Sequence, residues 1–175
     1  GTLSVPSDFA TIQAAVDAAV SGDTVLVASG TYTGTGNKNI NPGSKELAIQ
    51  SESGATATII DCEGSGRALY VVGGQSDDAF VFEGFTVRNG LTTNASAVLV
   101  DPIDSSITIR DCVFESCDSG GPVAAVKGRG RFLNSRISGC DGANAFQWHG
   151  GVIDGLEVVG NSARSGYVKA DEAAV

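Results

Sequence analysis

FATIQAAVDAAVSGDTVLVASGTY, residues 9–32, joins one short amphipathic segment to one strand-like segment. Ser7 or Asp8 can accept hydrogen bonds from the free amides at the start of a helix. Apolar residues then recur at spacings of three and four, and they are Phe9, Ile12, Val16, Ala19 and Val20. Residues 21–23 break this pattern, and the β-branched run 24–28 reads as a buried strand. The sequence therefore predicts a helix over residues 8–20, followed directly by a strand.

The rest of the chain is organised as a repeat of roughly 22 to 28 residues, a period typical of solenoids. Five segments alternate apolar and polar residues and end at a bend: 58–64, 85–90, 112–118, 135–141 and 156–162. A companion strand precedes each of them: 46–51, 79–84, 106–111, 130–135 and 151–155. A third set completes the coils: 68–72, 97–100, 123–126, 145–148 and 166–169. Three strands per repeat predict the triangular coil of a parallel β-helix.

Residues at matching positions of such coils must stack in columns, because each strand pairs with its counterpart one coil away at ~4.8 Å. The sequence predicts one inward ladder and one column at a bend. The ladder is Val87, Phe114, Ile137 and Val158, and the bend column is Gly90, Cys117, Cys140 and Asn161.

The opening helix and strand resemble the N-terminal cap of the pectin-lyase-like right-handed parallel β-helix. FATIQAAVDAA, GTY, LAIQ and TIID, all in the N-terminal third, are similar to the opening of pectinesterases. The FESC and VVGN turns, with GGPV and GGVI, resemble repeats of bacterial β-helical surface adhesins. The resemblance implies an all-β fold, a right-handed parallel β-helix (solenoid) of about five to six coils with a short N-terminal capping α-helix. We expect a single domain over residues 1–175, with the coils in residues 23–169.

The amino-acid composition restricts the classes of partner that the protein is expected to bind. The 175 residues carry 20 Asp and Glu against 11 Lys and Arg, which gives a net charge of −9. Nucleic acid is therefore an unexpected partner, since only Lys127, Arg129 and Arg131 cluster. No apolar run reaches the ~18 residues of a membrane span. The acidic, lysine-poor composition favours an extracellular or cell-surface location.

A pectinesterase-like activity is one enzymatic hypothesis. The resemblance to that family places Asp104 and Asp118 near the acid and the nucleophilic carboxylate of such esterases. The glutamine-bearing runs that stabilise an oxyanion are replaced, with Ser96 to Leu99 standing where one is expected, and no RPW motif follows. An oxyanion donor contributes about 3–4 kcal/mol to such chemistry. Asp104 and Asp118 are thus weak catalytic candidates.

A calcium-dependent polysaccharide lyase is the other enzymatic hypothesis. Glu83, Asp111, Asn134 and Asp154 are predicted to share one column, and Asp118 and Asp141 another. Stacked carboxylates gain from a cation or from a neighbouring arginine. Neutralisation of these carboxylates by neighbouring arginines is favoured over a bound cation. No residue of the sequence stands out as a catalytic base. Calcium is the cofactor that this hypothesis implies, and its weak candidate ligands are Asp111, Asp154, Asp118 and Asp141.

Cys117 and Cys140 are equivalent residues of adjacent coils, so their Cα atoms should lie within the disulfide window of ~4.4–6.8 Å. A bridge between them and a stacked pair of buried thiols are equally compatible with the sequence. Cys62 lies two coils from Cys117, and Cys112 belongs to a different inward column.

Three aromatic residues of the third strand set, Tyr70, Trp148 and Tyr167, could form platforms for a sugar chain. The positions between them are aliphatic, and a core or rim role for Trp148 is at least as compatible with the sequence. The C-terminal segment lacks a recognisable cap, which predicts contact with another copy, further sequence, or a covering loop. The sequence thus favours a non-catalytic extracellular module, structural or adhesive, that binds polysaccharide or a cell-surface glycan and self-associates. The alternative is a small pectin-active enzyme.

Overall fold

A computed structural model describes residues 1–73, 79–101, 105–121, 125–163 and 168–171. It is a parallel β-solenoid of about six turns with one short helix near the N-terminus. The helix α1 spans Ile12–Ala18. The strands are β1 Thr2–Val5, β2 Thr24–Val27, β3 Gly30–Tyr32, β4 Ala48–Ser51, β5 Thr58–Asp61, β6 Leu69–Val72, β7 Val81–Glu83, β8 Thr86–Arg88, β9 Leu91–Thr92, β10 Val98–Asp101, β11 Ile107–Arg110, β12 Val113–Glu115, β13 Asp118–Ser119, β14 Val126–Leu133, β15 Arg136–Ser138, β16 Asp141–Gly142, β17 Phe146–Asp154, β18 Glu157–Val159, β19 Ser162–Ala163 and β20 Val168–Asp171.

The strands form three faces and one short ladder, and every strand-to-strand pairing between them is parallel. The first face contains β1, β2, β4, β7, β11 and the second halves of β14 and β17. The second face contains β3, β5, β8, β12, β15 and β18. The third face contains β6, β10, the first halves of β14 and β17, and β20. The corner ladder contains β9, β13, β16 and β19.

The three predicted strand sets correspond to these three faces. On the first face the residue at position 83 pairs with 110, then 133, then 154, so successive coils take 27, 23 and 21 residues. The predicted inward ladder is confirmed by the register of Val87, Phe114, Ile137 and Val158. A second ladder runs through the first face as Val25, Ile49, Phe82, Ile109, Phe132 and Ile153. These ladders meet inside the coils and form the core.

The bends on either side of the second face contain columns of left-handed backbone. One column, with φ between 45° and 77°, is Gly84, Asp111, Asn134 and Gly155. The other, with φ between 51° and 60°, is Asn89, Ser116, Gly139 and Gly160. Glycine and the short polar residues Asp and Asn tolerate this conformation best, which explains why they recur at the repeat spacing.

Side chains of the next coil accept hydrogen bonds from backbone amides at these bends. The Cys112 N–H donates to Ser135 Oγ at 3.0 Å. The Cys117 N–H donates to Cys140 Sγ at 3.4 Å, and the Cys140 N–H donates to Asn161 Oδ1 at 2.8 Å. The predicted bend column of Cys117, Cys140 and Asn161 is thus confirmed as a chain of inter-coil contacts.

The helix is shorter than predicted, and its predicted N-cap is wrong. Thr11 is the N-cap, and its Oγ1 accepts from the Ala14 N–H at 3.2 Å. Asp8 instead closes a turn after β1, because its carboxylate accepts from the Ser4 N–H and its own N–H donates to the Ser4 carbonyl. Val20 lies beyond the helix and is 65% exposed. Three helix residues, Ile12, Ala15 and Val16, are buried against the first coils.

Polar contacts attach this helix to the chain that follows it. Gln13 Nε2 donates to the Asn41 carbonyl at 3.1 Å, and Gln13 Oε1 accepts from the Asn41 N–H at 2.8 Å. Lys45 Nζ donates to the carbonyls of Val16 and Asp17, where a helix C-terminus favours a cation. The helix therefore covers the N-terminal end of the solenoid, as the sequence predicts.

Candidate functional site

Trp148 cannot be the surface platform that the sequence suggested, because its side chain is completely buried. Its indole Nε1–H donates to the Gly130 carbonyl at 3.0 Å, and its ring stacks on Phe146 with centroids 5.6 Å apart. Gly128 leaves room for the indole, since a Cβ there would lie 2.8 Å from a ring carbon. Trp148 belongs to the core of the third face.

Tyr70 lies on the outward side of β6 and is half-buried. The Arg67 guanidinium sits 5.2 Å from its ring centroid, and the ring packs against Ala95 and Leu99. One face of the tyrosine is therefore already used within the protein. Tyr167, the remaining aromatic candidate, lies outside the described residues.

The outward side of the third face contains a cleft of about 180 Å³. Its lining is Val100, Asp101, Lys127, Gly128, Gln147 and His149. The register aligns Tyr70, Leu99, Lys127 and Gln147 in one outward column that leads into the cleft. A carboxylate, an ammonium group, an amide and an imidazole thus converge on one small concave surface, which can both donate and accept hydrogen bonds.

A second cleft, of about 290 Å³, lies at the corner between the second face and the corner ladder. Its lining is Gly64, Asn89, Gly90, Leu91, Ser116 and Asp118. Asp118 is exposed, and its carboxylate accepts from the Asp141 N–H at 3.2 Å. Asp104, the other weak catalytic candidate, lies outside the described residues.

The predicted column of acids on the first face is partly wrong. Glu83 and Asp154 share a register line, but Arg110 and Leu133 lie between them. Asp111 instead lies in the bend column with Asn134, because its φ of 55° turns the chain away from the strand. Arg110 Nη2 contacts Glu83 Oε2 at 2.7 Å, as the arginine explanation predicts.

Asp118 and Asp141 do share a column, since they are register partners in the corner ladder. Among the described residues, no group of three or more His, Cys, Asp or Glu side chains is placed to hold a metal ion. The pair therefore lacks a third protein carboxylate or imidazole within the part of the chain that the structure describes.

All four cysteines are buried free thiols, so the stacked pair rather than the bridge is observed for Cys117 and Cys140. Burial raises the pKa of Cys62 and of Cys112 to about 12. A hydrogen bond between the two paired thiols raises the pKa of Cys117 and lowers the pKa of Cys140. Cys140 is thus the thiol of this pair that ionises more readily.

Sequence reasoning missed Asp101, Lys127 and Gln147 as members of one cleft. Strand alternation was the signal that could have found them. In AFQW, Phe146 and Trp148 must point to one side and Gln147 to the other, and the buried Phe146 decides which side is inward. The same alternation turns Lys127 outward, and the register of β14 with β17 then places it beside Gln147.

Comparison of the chain with protein-family models, with curated proteins and with solved structures gave no match. No helix in the described part of the chain is long and apolar enough to cross a membrane. The parallel β-solenoid is therefore what the structure shows, and the resemblance to pectin-lyase-like proteins stays a prediction.

Proposed function

We propose that this protein is a non-catalytic extracellular module, structural or adhesive, that binds an extended carbohydrate across the coils of its third face. The observation that carries the proposal is the cleft in which the polar side chains of Asp101, Lys127, Gln147 and His149 converge beside Val100 and Gly128. Sugars present hydroxyl groups that both donate and accept hydrogen bonds, and this set of side chains can satisfy both kinds.

The geometry of the third face suits a repeating ligand. Lys127 and Gln147 are register partners on adjacent strands, which lie ~4.8 Å apart. That spacing is of the order of one sugar ring, so successive rings of an extended chain can meet successive coils. Tyr70 and Leu99 occupy the same register column toward the N-terminal coils, where Leu99 is buried and Tyr70 is partly exposed to a ligand.

The proposal is tested by titrating the protein with a panel of soluble polysaccharides and measuring the heat of binding. Gln147→Ala should weaken binding about tenfold, which corresponds to about 1.4 kcal/mol, because it removes hydrogen bonds to the ligand. Gln50→Ala is the matched control, since Gln50 is a half-buried amide on the first face. Equal affinities for both variants and the unaltered protein would show that the cleft does not bind the polysaccharide.

Activity assays separate this proposal from the pectin-active alternative. The protein is incubated with polygalacturonate and with methylated pectin, with and without calcium. We expect neither an unsaturated product nor released methanol. Either product, lost in Asp118→Asn but kept in Asp141→Asn, would establish an enzyme and assign the catalytic carboxylate.

We also propose that the module self-associates through its last coil. Five large hydrophobic residues are exposed among those whose burial the structure describes, and three of them, Val152, Val158 and Val159, lie in this coil and are 36–45% exposed. Within the described residues β18 is the last strand of the second face and pairs only with β15, so a second copy could pair with its free edge.

Sedimentation at increasing protein concentration tests this association, and negative-stain microscopy shows whether it produces filaments. Charged substitutions at the contact, Val158→Lys with Val159→Lys, should yield a monomer. Val20→Lys is the matched control, because Val20 is 65% exposed at the opposite end. A monomer at all concentrations without any substitution would refute the association.

A further inference from the structure

Lys127 and Arg129 differ from the other cations of this chain. Nine lysines and arginines have described side chains, and seven of these contact other groups of the protein. The seven are Lys38, Lys45, Arg67, Arg88, Arg110, Arg131 and Arg136. Lys127 and Arg129 make no ion pair or hydrogen bond with any residue that the structure describes.

These two cations are near neighbours outside the coil: Lys127 lines the cleft of the third face, and Arg129 lies next to that cleft, at the corner where β14 passes from the third face to the first. Both lie on β14 at alternate positions, where the burial pattern places their side chains outside the coil. Alternate residues of a strand are about 6.6 Å apart. Lys127 is half-buried in the cleft wall, and Arg129 is exposed beside it.

The surrounding protein makes this arrangement unusual. The chain carries a net charge of −9, yet these two cations are left without an acidic partner among the described residues. Asp101 lines the same cleft, but it forms no ion pair with either of them. An anionic ligand is the group that would neutralise them, and a guanidinium binds carboxylate or sulfate oxygens in pairs.

We infer that the cleft of the third face binds a glycan that carries anionic groups, with Lys127 and Arg129 as the residues that contact those groups. This inference rests on the proposed carbohydrate binding and names its ligand class. The shared chemistry is a carboxylate or a sulfate ester on an extended sugar chain. Gln147 and Asp101 are left to bind the neutral hydroxyls.

The experiment compares three soluble polymers, polygalacturonate, dextran sulfate and uncharged dextran, by calorimetry at low and high sodium chloride. Lys127→Gln with Arg129→Gln should weaken the binding of a charged polymer at least tenfold and leave any binding of dextran unchanged. Affinity for the charged polymer should fall as salt rises. Preference for polygalacturonate or dextran sulfate identifies carboxylate or sulfate as the natural group.

Arg136→Gln is the matched control, because Arg136 is an exposed cation on the second face and forms only a long contact of 3.7 Å with Glu157. It should bind like the unaltered protein. Equal losses in this control and in the double variant would mean that general charge, not the cleft, attracts the polymer. Circular dichroism confirms that each variant keeps its fold.

The outcomes distinguish the two proposals. Uncharged dextran could bind tightly, with an affinity that changes neither with salt nor in the double variant. That result would refute the proposal of an anionic ligand and would support carbohydrate binding. If no polymer binds, the side-chain nitrogen NMR shifts of Lys127 and Arg129 are followed with sodium sulfate. A shift at both residues would preserve the anion site and overturn the glycan, and no shift would overturn both.

Discussion

The first coils and the last described coil of this solenoid differ in how their inward side chains are covered. At the N-terminal end α1 buries Ile12, Ala15 and Val16, and Gln13 fastens it to Asn41 through two hydrogen bonds. In the last coil Val158 is 36% exposed, although its register partner Ile137 is completely buried. Among the described residues β18 is thus paired on one side only, and its inward side chain is correspondingly less covered. An inward side chain such as Ile137 is fully buried where a coil lies on each side of its own coil.

The largest effect should come from truncating the shared ladder at two depths. Ile137→Ala should lower the free energy of unfolding by about 2–5 kcal/mol, because it opens a cavity between two coils. Val158→Ala should lower it by less than about 1 kcal/mol, since part of that side chain already meets water. Urea unfolding measures both values, and similar losses would show that the last coil is as well packed as the interior.

Thiol alkylation should reveal a gradient of local opening. Cys140 lies one coil from the last bend residue, Asn161, and its pKa is lowered by the Cys117 thiol, whereas the pKa of Cys62 is about 12. We expect Cys140 to react at least about tenfold faster than Cys62 when the last coils open, a difference of about 1.4 kcal/mol.

Pulsed alkylation with mass spectrometry measures these rates, and Asn161→Ala should raise the rate at Cys140 by removing the acceptor of its amide. Cys112, whose thiol is buried deeper in the stack, serves as the internal control. Equal rates at all four cysteines would indicate that the solenoid opens as one unit.

Weakening the N-terminal cap should have a smaller effect. Gln13→Ala removes both hydrogen bonds to Asn41 and should cost about 1–2 kcal/mol of unfolding free energy. Asp17→Ala is the control, because the Asp17 side chain accepts only an exposed hydrogen bond from Gln13, and its carbonyl contact with Lys45 is kept. Thermal unfolding compares the two, and a larger loss in the control would contradict the assigned role of Gln13.

The smallest effect should be a pH dependence. Burial opposes the charge on Asp61, but hydrogen bonds from Asn89, the Glu63 N–H and Arg88 outweigh it and lower its pKa. A lowered folded-state pKa stabilises the fold above the unfolded value of about 3.9, and this contribution is lost as the pH falls below it.

Asp61→Asn should therefore flatten the acid side of the stability profile by less than about 1 kcal/mol, because solvent screens the pair. Glu157→Gln, at a carboxylate whose side chain is 62% exposed, is the surface control. Denaturant midpoints between pH 2 and 7 measure both. A steeper acid loss in Asp61→Asn would contradict this assignment.

The coils were predictable because stacking forces one pattern to recur at a fixed spacing. Phe114 and Ile137 could be aligned from sequence, since each lies two residues before a bend residue with a left-handed backbone. The start of the helix was not predictable from its apolar period. Asp8 looks like an N-cap, but hydrogen bonds to Ser4 fold it into the preceding turn.

The candidate site was harder to predict, because it depends on which side of a strand faces in. For Trp148 the sequence left a surface platform and a core or rim role open, and alternation with the buried Phe146 places it in the core. Lys127 and Gln147 became neighbours only through the register of β14 with β17. No local motif marks such a pair, since 20 residues separate its members.

The side chains that close the bends give this molecule an order of assembly. The amide of Cys112 is satisfied by Ser135, that of Cys117 by Cys140, and that of Cys140 by Asn161, always from the coil that follows. A chain emerging from the ribosome would therefore hold each bend incomplete until one more coil had been made. For these three bends, folding would therefore be completed one coil behind synthesis.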